Sequence, residues 1–532
     1  MERVLSSDWP FQKVLVANRG EIALRIVRAC RDVGLQSVAV YSDVDRDALH
    51  VRMADEAYHI GPALAAQSYL NIPRIIDVAK QSGAQAIHPG YGFLSENAAF
   101  VDACQEAGLV FIGPPAAAQR SMGEKTAARR TAYVAGVPIV PGAIIDNEDE
   151  AGIKLSAERL GYPVLLKAAA GGGGKGIRLV RDPRDLLTSL QTARSEAQSA
   201  FGDDRVYLEK AIIPARHIEV QFIADAHGHV VHLGERECSI QRRHQKLIEE
   251  APAPLINDSL RSKITTATVK LVRSINYVNA GTAEFLLGAD RNFYFLEVNA
   301  RIQVEHPVTE WCTGIDLVQE QLRVAAGFPL SFTQHDIVVR GSAIECRISA
   351  EDPANRFLPA TGTVQALQEP SGPGVRVDSS LYTGLQVPLS YDPLLSKLIV
   401  WGRDRTQALA RLRRALTEYQ IVGVRTTLPF ARWLLEQPRF ISADLSTDFI
   451  AEEWDQHQPL AEPEPTQASS NGESEAHDSE EVVLEKIAAM IGGLLLDQQI
   501  EHEQARRHPD TQGKGEQSRW LDVSRKDGLR RI

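Results

Sequence analysis

The chain has 532 residues, 44% of them hydrophobic, and a formal net charge of -11. That length exceeds one ordinary core and implies about two to four domains, while the acidic balance gives no electrostatic footing for nucleic acid. Five scattered cysteines (Cys30, Cys104, Cys238, Cys312 and Cys346) with no Cys-x-x-Cys pair argue against a zinc cluster or a disulfide framework, and no run of about 20 apolar residues exists to span a membrane.

Met1 to Phe11 contains Glu2, Arg3 and Asp8 and lacks a signal-peptide apolar core. The expected location is cytoplasmic. The first region, residues 11–121, alternates strand and helix patterns. Lys13 to Ala17 is a buried-strand run, Glu21 to Val33 has helical spacing with Ile22, Ile26, Ala29 and Cys30 on one stripe, and Ser37 to Tyr41 is a second strand. Ala84 to His88 and Leu109 to Gly113 follow, with helices between them. This is an α/β layer with a parallel sheet, Rossmann-like in shape. The first turn, Asn18-Arg19-Gly20-Glu21, lacks the three-glycine dinucleotide fingerprint. The region therefore reads as a scaffold that contributes loops such as His88-Pro89-Gly90-Tyr91-Gly92.

The second region, residues 122–332, carries the chemistry. Val164 to Val180 reads as a strand, a glycine loop and another strand. Gly171, Gly173 and Gly176 fit G-x-G-x-x-G, but a strand follows where the dinucleotide motif needs a helix. Walker A fails too, because no Ser or Thr follows Lys175. A glycine hairpin can still fold over a triphosphate and offer it backbone N–H groups. Five glycines in 171–176 cost chain entropy unless the bare backbone is used. Lys167 can reach the phosphates from the incoming strand, and Lys125 is a second candidate cation.

Tyr207 to Ile212 resembles a strand ending at a hinge. Such a segment can present backbone groups to a purine edge, with Glu209 accepting an amine proton. Glu209 reads equally well as a salt-bridged surface acid. Glu235 to Glu250 is a charge run, and such runs are usually solvated faces, yet Gln241, His244 and Lys246 lie in it among anion-binding chemistry. Cys238 reads as a buried small hydrophobe rather than a nucleophile.

Gly281 to Leu287 and Phe293 to Leu296 read as a hairpin around Gly288-Ala289-Asp290-Arg291-Asn292. A turn centred on Asp290-Arg291 pairs Leu287 with Tyr294, and Glu284 with Glu297. Opposed carboxylates about 5 Å apart repel unless a proton or a cation intervenes. Hard divalent cations with oxygen ligands suit that place, and Asn299 adds a third oxygen. If residues 297–305 continue as a strand, Glu297, Asn299, Arg301, Gln303 and Glu305 share one face. Acid, amide, cation, amide and acid in that order look like a working surface.

Residues 338–453 mix short strands with helices such as Thr406 to Glu418. In the tail, 455–532, Gln458 to Ser479 reads as a disordered acidic linker. Glu480 to Gln499 has helical spacing, interrupted at Gly492-Gly493, and the end is basic.

The glycine hairpin, the paired glutamates and Glu-x-Asn-x-Arg resemble an ATP-grasp ligase. The longer phrases Asn18-Arg19-Gly20-Glu21-Ile22-Ala23, His88 to Asn97, Gln241 to Lys246 and Arg301 to Glu310 resemble biotin carboxylase, over about Phe11 to Glu453. The resemblance implies a Rossmann-like N-terminal domain, an ATP-grasp domain with a lid at about 140–211, and a mixed α+β C-terminal domain. The implied reaction makes carboxybiotin, ADP and phosphate from ATP, bicarbonate and protein-linked biotin, as in the first half-reaction of acetyl-CoA carboxylase. Carried over, Lys125, Lys167, Gly173, Gly174, Glu209, Lys210, Ile212, His217, Gln241, His244, Glu284 and Glu297 hold ATP. Glu284, Glu297 and Asn299 bind Mg²⁺ or Mn²⁺. Lys246, Arg301, Gln303 and the Val304 backbone hold bicarbonate, Glu305 is the general base, and Arg347 faces the biotin ureido oxygen.

The chemistry agrees with that assignment. Losing its proton makes bicarbonate a better nucleophile, and a positioned base contributes roughly 10²–10⁴-fold. Metal and lysines neutralise charge as the γ-phosphoryl group moves, giving carboxyphosphate, which a closed glycine hairpin shields from water. Arg347 cannot release a proton and suits an enolate-like oxygen. The tail lacks Ala-Met-Lys-Met, so a separate carrier chain is expected, with carboxyltransferase subunits and a homodimer. Competing readings are an ATP-grasp ligase for another acceptor, of the carbamoyl-phosphate or purine-synthesis type, and a non-catalytic nucleotide-binding regulatory subunit.

Overall fold

The structure, a computed structural model, describes residues 9–145, 149–168 and 177–454. The expectations for Gly173 and Gly174, for the acidic linker and for the tail helix lie outside the described residues, as does the side chain of Lys125. The first region folds as a parallel sheet. Its strands are β1 (Lys13–Val16), β2 (Gln36–Ser42), β3 (Glu56–Gly61), β4 (Ala86–His88) and β5 (Val110–Phe111), in the order β3-β2-β1-β4-β5. The helix Gly20–Asp32 buries Ile22, Ile26, Ala29 and Cys30, the stripe its spacing predicts. Strand β3 is the element that sequence reading missed: it is an edge strand, and only Ile60 in it is buried.

A small four-stranded sheet follows. Its strands are β6 (Gly142–Ile144), β7 (Val164–Ala168), β8 (Ile177–Val180) and β9 (Val206–Lys210), all antiparallel in the order β6-β9-β7-β8. Side chains alternate across a strand. Val164, Leu166 and Ala168 are therefore buried, the first two in a core with Ile153, Leu186 and Leu190, while Leu165 and Lys167 turn to the opposite face.

Eight further strands form one antiparallel sheet. They are β10 (Ala215–Ala224), β11 (Val230–Arg242), β12 (Gln245–Ala251), β13 (Asn279–Gly288), β14 (Phe293–Asn299) and β15 (Ser342–Ser349), with Leu394–Gly402 and Val375–Ser379 beyond. The pairing of β12 with β15 joins the middle region to the C-terminal one. The helix Arg405–Glu418 packs Leu412 and Leu416 into the core at that end.

Two local expectations need correction. Glu284 does face Glu297, but Leu287 pairs with Phe293 rather than Tyr294. The loop holds Ala289, Asp290 and Arg291, with Arg291 at φ 63°, and a register shift between Glu284 and Phe285 restores the predicted pair. The run 297–305 is also not one strand. Extended structure ends at Asn299, and Glu305 is the N-cap residue of the helix His306–Thr313.

Candidate active site

A row of charge crosses the sheet. Glu297 faces Glu284 across β14 and β13, Glu284 faces Glu219 across β13 and β10, and Glu219 faces Arg236 across β10 and β11. Directly opposed side chains share a face. Three adjacent carboxylates would repel, so cations must enter the row. Arg236, fully buried, donates to Glu219 at 2.5 Å and to Gln221 at 2.8 Å. Lys246 supplies the second cation. Its ammonium has three donors and reaches Glu219 at 2.5 Å, Glu284 at 2.8 Å and Glu305 at 2.7 Å.

The hairpin of β11 and β12 carries Lys246 there. Gln241 pairs with Lys246 and Arg242 with Gln245, leaving Arg243 and His244 as the two turn residues, both at positive φ. The charge run 235–250 is therefore not a solvated face throughout. Arg243, His244 and Gln245 are exposed, whereas Glu235, Arg236, Glu237, Glu249 and Glu250 are buried. Cys238 is buried too, and burial pushes its thiol well above the ordinary range.

Beyond Asn299 the chain folds back on itself instead of extending, and the expected working surface forms by contact. Arg301 donates to the Asn299 amide oxygen at 2.8 Å and to Gln303 Oε1 at 3.0 Å. Asn299 and Gln303 each turn an amide N–H to Glu284 Oε1, at 2.8 and 3.2 Å. Glu305 is fully buried behind this layer, between Lys246 on Oε1 and Arg347 on Oε2 at 2.9 Å. Burial alone would raise its pKa, but Lys246, Arg347 and Arg236 outweigh burial and hold it well below the carboxylate range. Glu284 is held down in the same way by Lys246 and His217, whose Nε2 lies 3.0 Å away. Burial raises Glu219, and Arg236 only partly offsets it.

The layer in front of Glu305 opens onto a cavity of about 870 Å³, while Glu219, Arg236 and Glu305 lie behind its wall. Lys167, Glu209, Lys210, Ile212, His217, Gln241, His244, Lys246, Glu284, Glu297, Asn299, Arg301, Gln303, Val304 and Arg347 all line it. Glu209 is no surface acid. It is buried and bridges Arg129 and Lys167. The N-terminal region adds Tyr91, Gly92 and Phe93 to the wall. That loop is pinned by Asn18, which donates to the carbonyls of Pro89 at 2.6 Å and Tyr91 at 2.7 Å. Gly90 is required there: a Cβ at its φ of 63° would lie 2.9 Å from the Asn18 amide nitrogen.

The donor set fits a hard divalent cation. Glu284 and Glu297 oppose each other on the cavity wall, and oxygen ligands from one or two carboxylates suit Mg²⁺. Asn299 turns its oxygen to Arg301, which leaves that oxygen one further lone pair.

Comparison with known proteins adds the decisive observation. Residues 10–119 match the model of the biotin carboxylase N-terminal domain and residues 345–452 that of the biotin carboxylase C-terminal domain. Residues 124–333 match the ATP-binding domain of the carbamoyl-phosphate synthase L chain. A biotin carboxylase of Nostoc is 54% identical over 444 residues, 83% of this chain and 99% of the relative. The chain belongs to the biotin carboxylase family. It is thus an ATP-grasp, ATP-dependent ligase that uses ATP with Mg²⁺ to carboxylate biotin. The fold agrees. The biotin carboxylase of Campylobacter jejuni, crystallised as a complex with β,γ-ATP, superposes with a TM-score of 0.79 at 45% identity, over 83% of this chain and 99% of that one. A biotin carboxylase domain dimer of Hydrogenobacter thermophilus 2-oxoglutarate carboxylase, with MgADP and bicarbonate, gives 0.78 at 47%, over 83% and 97%. Subunits of pyruvate, methylcrotonoyl-CoA and propionyl-CoA carboxylases match at 46–52% identity.

Sequence reading missed several residues that build its site. Glu219 carried a signal: His217, Glu219 and Gln221 alternate on one strand, and polar residues so spaced on a strand between apolar neighbours share a face. Arg236 and Glu249 were hidden in the charge run. Glu96, inside the quoted phrase His88 to Asn97, accepts the Ala300 N–H at 2.9 Å and Arg301 Nε at 3.1 Å.

Proposed function

We propose that the carboxylase acts on biotin borne by a separate carrier chain, with Glu305 as the base that deprotonates bicarbonate. The supporting observation is the Lys246 ammonium joined at once to Glu219, Glu284 and Glu305. Arg301, Gln303 and the Val304 backbone line the cavity beside it and suit a small planar anion. Bicarbonate arriving there competes for Lys246, and Arg347 shifts toward the ureido oxygen of biotin. Both departures strip cations from Glu305 and raise its basicity when a proton must move. Glu219, raised by burial, shares Lys246 with Glu305, so the protonation of the two acids is linked.

Lys167, His217, Gln241, His244 and the backbone of Lys210 and Ile212 are assigned to ATP, as are Lys125, Gly173 and Gly174. Glu284, Glu297 and Asn299 would hold the Mg²⁺ or Mn²⁺, which supplies charge neutralisation at the phosphates. Lys246 and Arg301 stabilise the dianion left when Glu305 takes the bicarbonate proton, and the product of phosphoryl transfer is carboxyphosphate.

A homodimer, a cytoplasmic location, and a carrier and carboxyltransferase as partners belong to this reading. Among the described residues no helix is long and apolar enough to cross a membrane. Identity near one half to carboxylases of several different acyl acceptors does not single out one acceptor. Residues 455–532 lie beyond the matched domains. We assign them to docking a carrier or carboxyltransferase subunit, and unchanged complex assembly after their deletion would remove that assignment. The enzymatic test is bicarbonate-dependent ATP hydrolysis with and without free biotin, for the wild type and Glu305→Gln. Biotin stimulation lost in the variant is expected, and biotin-independent turnover that survives the substitution would overturn the reading.

A further inference from the structure

We propose that His306 and Lys397 are positioning residues that fix the two peptide planes flanking Val304 and so aim its N–H at bicarbonate. The proposal rests on the reading of the Val304 backbone as a bicarbonate contact. The chain turns at Gln303–His306. The Gln303 carbonyl accepts the backbone N–H of His306 at 3.4 Å and the ring Nδ1–H at 2.8 Å. The first distance is beyond the usual range for a backbone hydrogen bond, so the ring contributes the stronger hold. A carbonyl can only accept, which places the ring hydrogen on Nδ1. Burial holds the imidazole down to about 3, so the ring is neutral. His306 is fully buried.

The next peptide plane is gripped from the other side. Lys397 is fully buried, and its ammonium donates to the Val304 carbonyl at 2.9 Å, with Glu21 at 3.2 Å and Asp378 at 3.9 Å. In the sheet, Lys397 stands directly between Arg347 on one neighbouring strand and Asp378 on the other. Arg347 and Lys397 therefore act on consecutive residues, one on the Glu305 carboxylate and one on the carbonyl before it.

Peptides are planar and trans, so C=O and N–H point opposite ways. Turning the Gln303 carbonyl to the buried His306 ring turns the Val304 N–H away from that ring, and Val304 lines the cavity. Fixing the following plane through Lys397 removes the remaining rotation. A buried ammonium is costly to desolvate, and an apolar side chain would fill the same space. The carbonyl contact gives the cation a reason to be there.

The test compares His306→Asn with His306→Gln. The Asn amide can place an N–H where Nδ1 was, whereas the Gln amide reaches the Nε2 position; Gln is nearer to His in size. We expect KM for bicarbonate to rise about tenfold or more in His306→Gln and to stay within about threefold of wild type in His306→Asn, with KM for ATP within about twofold in both. Lys397→Met is expected to raise KM for bicarbonate similarly while MgATP binding, measured by calorimetry, persists. Equal behaviour of the two His306 variants, or parallel rises in both KM values, would overturn the proposal. So would loss of MgATP binding, which marks a merely structural role. Wild-type enzyme without bicarbonate-dependent turnover would instead sink the functional reading itself.

Discussion

Lys246 and Glu305 meet across 2.7 Å, and that contact sets the resting charge of the proposed base. Glu305 sits fully buried with its pKa depressed, so the free enzyme holds it ionised and weakly basic. Replacing it with Gln keeps the shape and removes the proton acceptor. Bicarbonate-dependent ATP hydrolysis is expected to fall by roughly 10²-fold or more, with MgATP affinity retained in calorimetry. A Glu305→Gln enzyme within threefold of wild type would show that another group takes the proton.

Lys246 holds three carboxylates at once. Lys246→Met leaves Glu219, Glu284 and Glu305 short of a cation, and an unpaired buried charge costs about 3–5 kcal/mol. Glu219 already has a raised pKa, and the substitution raises it further. A group raised in the folded state stabilises at low pH and loses that contribution as pH rises. Urea denaturation should therefore find the variant's deficit growing as pH rises above the ordinary carboxylate range. A deficit that does not change with pH would contradict this charge assignment.

Glu249 gives a second pH signature. It accepts Arg347 Nε at 2.6 Å, yet burial raises its pKa to about 7 against the partial opposition of Arg347. Because the folded value lies above the unfolded one, its contribution is complete below the unfolded carboxylate pKa and fades as pH climbs through about 7. In Glu249→Gln the decline in unfolding free energy between about pH 5 and about pH 8 should be shallower than in wild type. Identical slopes in the two proteins would rule the effect out.

Glu284 tests the metal assignment. Glu284→Gln keeps an acceptor for Lys246 but removes a carboxylate from the pair facing Glu297. The Mg²⁺ concentration for half-maximal activity is expected to rise about tenfold, equal to about 1.4 kcal/mol. An unchanged Mg²⁺ titration would take Glu284 out of the metal site.

Much of this was legible in the linear chain. The strand, glycine loop and strand reading put Lys167 on the incoming strand, and counting back from the turn found the Glu284–Glu297 pair, although the loop and the register shift differ from the simple hairpin. The run 297–305 carried the right residues on the wrong backbone. Its convergence comes from the fold-back after Asn299 and from Glu96, Lys246 and Arg347, which arrive from distant segments.

The sequence by itself determined the chemistry available: which strands alternate, where glycine frees the backbone, and which acids, amides and cations sit close together in the chain. Only the tertiary structure decided which of those charges lose water and meet. Local spacing governs hydrogen bonds between near neighbours, but the row from Glu297 to Arg236 depends on the register of four strands. Burial then makes each of those contacts strong, because few water dipoles remain to screen them.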